Sequence, residues 1–455
     1  MTKICFCGIS GNGMSPLAQI LSLKGYEVSG SDRSFDAGLD ADRRQALENM
    51  GIKIIPQDGS AITEDMEVYT SAALDDSNPD VKAAHKLGIS IKKRSDLLAK
   101  IFAEYEYGIA VGGTSGKTTT TAMIGYILDM LQKKPCMING GMLRNYEASK
   151  GLPNFIYNQD KICVIEADES DGSICKYHPN IGLINNISHD HTSMEKLREY
   201  FTVFAKNCKD AIIVNDDCEL TRKMQHPKKT VTFSTKNPQA DFYAGNIKFL
   251  PNGIEYTFKN KAFNLQLFGA FNVSNALAAI AACAQTGVNP LEAAKVLEGF
   301  TGIKRRLEIV GTTPNNITLI DDFAHNPSKI GSSLGALKEY EGRLIVMYQS
   351  HSPFSAQNTG SEVAEVVART LGKDDIFLMP EVFMLNKETD KGITAANIVK
   401  EIKADGFANA LFLDTQSAVH DYILQNAREG DRIVIMGARD NTLPDFSRRL
   451  LKELS

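Results

Sequence analysis

Apolar and polar positions alternate between two rhythms along this chain. From residue 3 to about residue 100, short apolar runs (KICFCGI, YEVSG ending at Asp32, MEVYTSA, ISIKK) are interleaved with helical stretches such as the one from about Met14 to Lys24. That order of strand, helix, strand predicts a parallel sheet. A second unit opens with YGIAVGG, a Gly and Thr rich turn and a helix from Lys117 to Leu131, and continues with the strands KICVIEA, IGLINN and AIIVN. Between about 230 and 268 the rhythm shortens to TVTFST, DFYAGNIKFL, GIEYTFK and AFNLQLF, separated by Asn-Gly and Asn-Pro turn signals, which predicts an antiparallel β insert. The Ala-rich helix NVSNALAAIAACAQ follows it. After the charged KRRLE segment the strand and helix pairing resumes with ITLIDD, RLIVMYQ, DIFLMP, ALFLD and DRIVIMG. The reading is an α/β chain of three units, 1–105, 106–303 and 304–455, which a length of 455 residues accommodates with a core in each.

Composition narrows the class of function. No apolar run reaches the length of a membrane-spanning helix, and the N-terminus MTKICFCGIS lacks the features of a secretory leader, so the expectation is a cytoplasmic protein without a membrane partner. Fifty Lys and Arg against 55 Asp and Glu, with no basic cluster longer than Lys304-Arg305-Arg306, argue against a nucleic-acid partner. Eight cysteines without a C-x-x-C pair, mostly inside apolar segments, read as reduced core thiols.

Chemistry concentrates after the strands. In AVGGTSGKTTTT a strand ends at Gly112-Gly113, the chain turns, and a helix begins at Gly116-Lys117-Thr118. The unpaired amides and positive end of such a helix suit a polyphosphate, with Lys117 on its β and γ oxygens and the Thr118 hydroxyl on magnesium. The usual four-residue gap between glycines would begin at Val111, so this is a shortened loop, G-T-S-G-K-T. VIEADESDGS runs an apolar strand into Glu166, Asp168, Glu169 and Asp171, of which Glu166, nearest the strand, is the expected metal ligand. NNISHDH places His189, Asp190 and His191 after a neighbouring strand, with His191 the candidate for metal or substrate. GISGNGMS after the first strand does not match the dinucleotide G-x-G-x-x-G pattern, yet a diphosphate fits its helix start, with Asp32 near a ribose.

GISGNGMS, VSGSD, GGTSGKTTTT, EADESD, NNISHDH, FNVSNALAA, RRLE, DDFAHNP and MGARDNTLP stand in the order and spacing of the Mur ligases, the ATP-dependent amide-bond enzymes of peptidoglycan assembly. The resemblance spans residues 8 to 445 and is closest to the alanine-adding branch and the related murein tripeptide ligases. It implies a sugar-nucleotide domain and a C-terminal domain, both Rossmann-like, around a central P-loop ATPase-like domain. It further implies an acyl-phosphate reaction joining L-alanine to UDP-N-acetylmuramate, with ATP and magnesium as cofactors. By the same resemblance, Gly113, Thr114, Ser115, Gly116, Lys117, Thr118 and Thr119 hold the phosphates, and Asn275 contacts adenine. Arg306, Asp322 and His325 reach the ATP. Lys117, Glu166, His191 and Arg306 are the implied catalytic set, and Thr118, Glu166 and His191 the metal set. Gly11, Asn12, Gly13, Met14, Ser15, Asp32, Ser71, Asp168 and Glu169 are the implied substrate contacts. The lysine that several branches carbamylate aligns with Phe204, so bicarbonate independence is expected. Ser115 and Asn326 replace histidines usual in the alanine-adding branch, and Gln349-Ser350-His351-Ser352-Pro353 lacks that branch's arginine, which leaves the amine and the sugar acid open. Oligomeric state is not legible. A nicotinamide-dependent dehydrogenase would use only the first 100 residues, while a non-catalytic nucleotide-binding regulator would use the loops without turnover.

Overall fold

The structure, a computed structural model, describes residues 2–71, 74–188, 193–383, 394–438 and 440–455. Three sheets carry the chain, and they group into two compact units. The first unit comprises Met1–Asn246, Tyr256–Leu265 and Asn272–Thr301. Its N-terminal sheet has the order β3-β2-β1-β4-β5, from β1 (Lys3–Cys7), β2 (Glu27–Ser31), β3 (Lys53–Ile55), β4 (Met66–Thr70) and β5 (Lys92–Lys93), with every pairing parallel.

The large sheet begins with β6 (Tyr107–Gly112), β7 (Cys136–Ile138), β8 (Phe155–Ile156), β9 (Ile162–Glu166) and β10 (Ile181–Ile184). It is completed by β11 (Ala211–Asn215), β12 (Thr230–Ser234), β13 (Phe242–Leu250), β14 (Gly253–Phe258) and β15 (Lys261–Leu265). Its order is β15-β14-β13-β12-β11-β10-β6-β9-β7-β8. One expectation is corrected here. TVTFST is β12, which runs parallel to β11 and to β13 and so extends the parallel sheet. Only β13, β14 and β15 are joined by two-residue connections, the length that antiparallel hairpins need.

On either side of the expected joint near residue 105 the two sheets share a core. Helix Arg94–Ala103 buries Leu97, Leu98, Ile101 and Phe102 in one core with Ile4 and Phe6 of the first sheet, Ile165 and Ile184 of the second, and Leu17 and Phe201 from helices Ser15–Leu23 and Met194–Asn207. A buried polar clasp reinforces it: the Gln19 amide donates to Asn154 Oδ1 (3.2 Å) and accepts from Leu152 N (2.7 Å), and Asn154 Nδ2 donates to Ser15 Oγ (2.9 Å). Long-range side-chain pairing of this kind leaves no trace in hydrophobic periodicity.

The second unit comprises Ile247–Glu255, Gln266–Phe271 and Gly302–Ser455. Its sheet runs β16-β17-β21-β18-β19-β20, from β16 (Glu308–Thr312), β17 (Thr318–Asp322), β18 (Leu344–Gln349), β19 (Ile376–Met379), β20 (Ala410–Phe412) and β21 (Arg432–Gly437). Only β16 is antiparallel. Part of the β insert belongs to this unit because Tyr340 receives Phe249 and Phe268 edge-on, with centroids 5.0 and 4.9 Å away. All eight cysteines are free thiols, and Cys5 and Cys7 lie in a small core beneath β1. Among the described residues, no helix is long and apolar enough to cross a membrane.

Candidate functional site

β6 delivers the chain to a turn whose two glycines are forced. Gly113 has φ +131° and Gly116 φ +83°, and a Cβ on Gly116 would stand 2.5 Å from Asn275 Oδ1 and 2.8 Å from Asn185 Nδ2. Behind the turn, Asn186 Oδ1 accepts from Ser115 N (2.9 Å) and Thr114 Oγ1 (2.8 Å), and Asn185 Nδ2 donates to Thr120 Oγ1 (2.9 Å). The loop is therefore shaped before any ligand arrives. Helix Lys117–Met130 starts at its far side with first-turn amides that have no intrahelical acceptor, so a locally positive turn faces outward at Ser115, Gly116 and Thr119. The Thr run is polar bracing: Thr118 and Thr120 are buried, and both hydroxyls are hydrogen-bonded.

The acidic strand end sorts into distinct partnerships. Glu166, closing β9, accepts from Thr118 Oγ1 (2.9 Å) and from Gly140 N (3.0 Å). Lys117 Nζ donates to Gly113 O (2.8 Å) and Glu169 Oε2 (2.7 Å), with Asp168 Oδ1 at 3.9 Å. Glu169 is 3% exposed, and burial pushes its carboxyl pKa up while the Lys117 ammonium pulls it back. Asp168 and Asp171 spend their side chains on turn amides, those of Ser170 (3.1 Å) and Ser173 (2.9 Å). Glu166 and Thr118 are hard oxygen donors side by side, a set that suits magnesium. His191 lies outside the described residues. Asn275, expected at adenine, sits behind the loop with both amide ends engaged, accepting from Thr120 Oγ1 (3.3 Å) and donating to Asn272 Oδ1 (3.0 Å). Phe204 is fully buried against Gly182, within the core of the sheet.

The Gly8–Ser15 loop follows β1. Gly8 (φ +78°) donates to Ser31 O, Ser71 Oγ lies 3.8 Å from where a Gly8 Cβ would be, and Gly11 accepts from both Met14 N and Ser15 N. Met14 and Ser15, expected at the substrate, are 1% and 0% exposed, with Met14 in the core and Ser15 Oγ in the Asn154 clasp. Asp32, expected near a ribose, accepts from Ser10 N (3.1 Å) and caps Ser34 through its N–H (3.0 Å) and hydroxyl (2.8 Å). The loop N–H groups of Asn12 and Gly13 bond to no described residue.

In the second unit, Asp322 at the end of β17 accepts from Leu307 N (3.4 Å) and from the Ser333 hydroxyl, while Arg306 is exposed. His325 Nδ1 contacts Phe323 O (2.9 Å), and its ring meets His351 edge-on with centroids 5.4 Å apart. Gln416 Nε2 joins Gln349 Oε1 (2.8 Å) to Asp440 Oδ2 (2.7 Å) across the same strand ends, a link no motif signalled. Asp321 is 1% exposed beside Arg305 Nε (3.4 Å), and burial pushes its pKa up to about 6. A folded-state value above the ordinary one means stability present below about pH 4 and lost as pH rises through about 6. Asp321→Asn should therefore gain on the wild type as pH climbs from about 4.5 to about 7.5, by roughly 3 kcal/mol at most, read from unfolding midpoints across that range.

Comparison with known proteins decides the family. Three family models match in sequence: the Mur ligase family, catalytic domain over residues 3–106, the Mur ligase middle domain over 111–283 and the Mur ligase, glutamate ligase domain over 305–439. A UDP-N-acetylmuramate--L-alanine ligase of Nostoc sp. (strain PCC 7120) is 34% identical, covering 95% of this chain and 93% of that protein. The chain belongs to the Mur ligase family. A Mur ligase is an ATP-dependent enzyme forming carbon–nitrogen bonds between an acid and an amino acid. A second UDP-N-acetylmuramate--L-alanine ligase, from Dictyoglomus turgidum, is 35% identical over 88% of this Mur ligase and 86% of its own length. Among solved structures, the UDP-N-acetylmuramate-alanine ligase of Thermotoga maritima superposes with a TM-score of 0.81 at 27% identity, covering 99% of both chains. A murein peptide ligase from Psychrobacter arcticus shares the fold at a TM-score of 0.64 and 23% identity, covering 100% of this chain and 99% of its own.

Proposed function

We propose that this Mur ligase joins L-alanine to the carboxylate of UDP-N-acetylmuramate, with residues 1–105 taking the sugar nucleotide, 106–303 the ATP and 304–455 the amino acid. The observation that carries the reading is the preshaped Gly113–Thr118 turn, with Lys117 and the Thr118–Glu166 oxygen pair converging on it. The loop amides and Lys117 neutralise charge that grows on the transferring γ-phosphoryl, an interaction worth most in the transition state. Lys117 must exchange its Glu169 partner for phosphate, and Glu169, already raised by burial, can take up a proton when it does. Thr118 and Glu166, with His191 by family resemblance, would hold magnesium, which when bound offsets phosphate charge. The activated acid is an acyl phosphate; the amine attacks its carbonyl carbon, the C–O bond to phosphate breaks, and inorganic phosphate leaves. Nucleotide-activated sugar and ATP as substrates fit a cytoplasmic enzyme.

A second reading, addition of a murein tripeptide, draws on the Arg306-Leu307-Glu308 and Asp322–His325 segments. One assay separates the two: phosphate release from ATP with UDP-N-acetylmuramate and a panel of single amino acids plus the tripeptide. L-Alanine-dependent release, with the matching mass of the conjugate, is the expected result. Release that only the tripeptide supports would transfer the chain to the recycling branch, and no release with any amine would favour a non-catalytic nucleotide binder.

A further inference from the structure

The Gly8–Ser15 loop is gripped by two arginines that no motif marks. Arg43, on helix Ala41–Asn49, donates through Nη1 to the Ser10 carbonyl and to Asn12 Oδ1 (2.9 Å). Arg94, first residue of helix Arg94–Ala103, lies along Gly13, its Cδ 3.0 Å and its Nε and Nη1 3.3 Å from where a Cβ would sit. Gly13 has no positive φ, and a Cβ there would press on the Arg94 side chain. The unbonded N–H groups of Asn12 and Gly13 belong to the same two residues that the arginines touch.

Both guanidinium groups are half-buried. Nε and Nη2 of Arg43, and all the donors of Arg94, make no hydrogen bond or ion pair with a described residue. Asp32 and Asp40 lie near enough to Arg43 to offset its charge without bonding to it. Two donor forks left open beside the same loop are free to receive an anion, and charge-assisted forks of this kind bind one strongly. A lone carboxylate occupies one fork. Two forks on two successive residues fit linked anionic groups, and the flat guanidinium geometry suits phosphate oxygens.

We propose that Arg43 and Arg94 clamp the diphosphate of the nucleotide sugar, with Arg43 setting affinity and Arg94 fixing its position against Gly13. This rests on the reading above that the loop takes the sugar nucleotide.

The test is calorimetry on the full chain with UDP and with uridine, alongside KM for UDP-N-acetylmuramate and for ATP, for wild type, Arg43→Ala, Arg43→Lys and Arg94→Ala. Arg43→Ala should weaken UDP at least about tenfold while uridine changes less than about twofold, with Arg43→Lys in between because a point charge lacks the fork. Its KM should rise for the sugar nucleotide and stay level for ATP. Equal weakening of UDP and uridine would mean that Arg43 only braces the loop, and UDP binding kept within about twofold would remove it from the site. Should Arg43→Ala not fold, Arg43→Lys carries the same comparison. Wild-type protein that binds no UDP would bring down the sugar-nucleotide reading itself, and the clamp with it, a result distinct from variants that bind normally.

Discussion

Lys117→Ala should leave the chain folded and lower ligase turnover at saturating ATP by about a hundredfold or more, the order of loss that follows removal of one preorganised donor, roughly 3 kcal/mol. Lys117 opens helix Lys117–Met130, and its side chain, although largely buried, ends on polar partners, Gly113 O and Glu169, and not in the apolar core. Its loss leaves Glu169, 3% exposed, without its cation at 2.7 Å. Burial already raises the Glu169 pKa and Lys117 opposes that rise, so the variant's carboxyl climbs further above its ordinary value. A raised carboxyl contributes stability below its ordinary pKa and loses it as pH rises through the folded-state value. The thermal deficit of Lys117→Ala should accordingly be larger near about pH 8 than near about pH 5. Adding Glu169→Gln should recover the melting temperature and leave turnover low. If the double variant regains turnover as well, Lys117 acts through the fold and not on phosphate, and a single variant keeping more than about a tenth of wild-type turnover would sink the assignment.

Local features were legible because they obey local rules. The strand, turn and helix of GGTSGKTTTT are fixed by two glycines with positive φ and by a Thr and Lys run, all within one window. Glu166 was readable as the first acid after an apolar strand, and it does lie beside Thr118. The sequence order of acids could not show that Glu169 pairs with Lys117 while Asp168 and Asp171 cap turns, since that depends on a reversal of the chain after β9. Nor could it show Arg43, Arg94 or the Gln19–Asn154 clasp, which act across 31 to 135 residues of sequence through single side chains. The parallel pairing of β12 was missed for a related reason. Short alternating runs specify half-buried strands but not their direction, and direction here follows from the connection after β11.

Glu166→Gln should abolish activity at ordinary magnesium concentrations with little change in stability, because the amide preserves shape and removes charge. In the folded chain Glu166 accepts twice, from Thr118 Oγ1 (2.9 Å) and Gly140 N (3.0 Å), and Gly140 approaches so closely that its Cβ would lie 2.6 Å from Oε2. A glutamine can keep the Gly140 bond with its carbonyl oxygen. Its NH2 group then faces Thr118, whose hydroxyl can turn and accept, so both contacts survive as hydrogen bonds. What disappears is the carboxylate's negative charge beside Thr118 Oγ1, and a divalent cation needs that charge to hold its place against water. The expected result is turnover down by about a hundredfold or more, partly recovered at high magnesium, with ATP binding in the absence of metal unchanged. A merely structural Glu166 would give the opposite pattern: a fall in melting temperature and no response to added magnesium. Turnover measured against magnesium concentration, with thermal unfolding on the same samples, therefore separates a metal ligand from a loop brace.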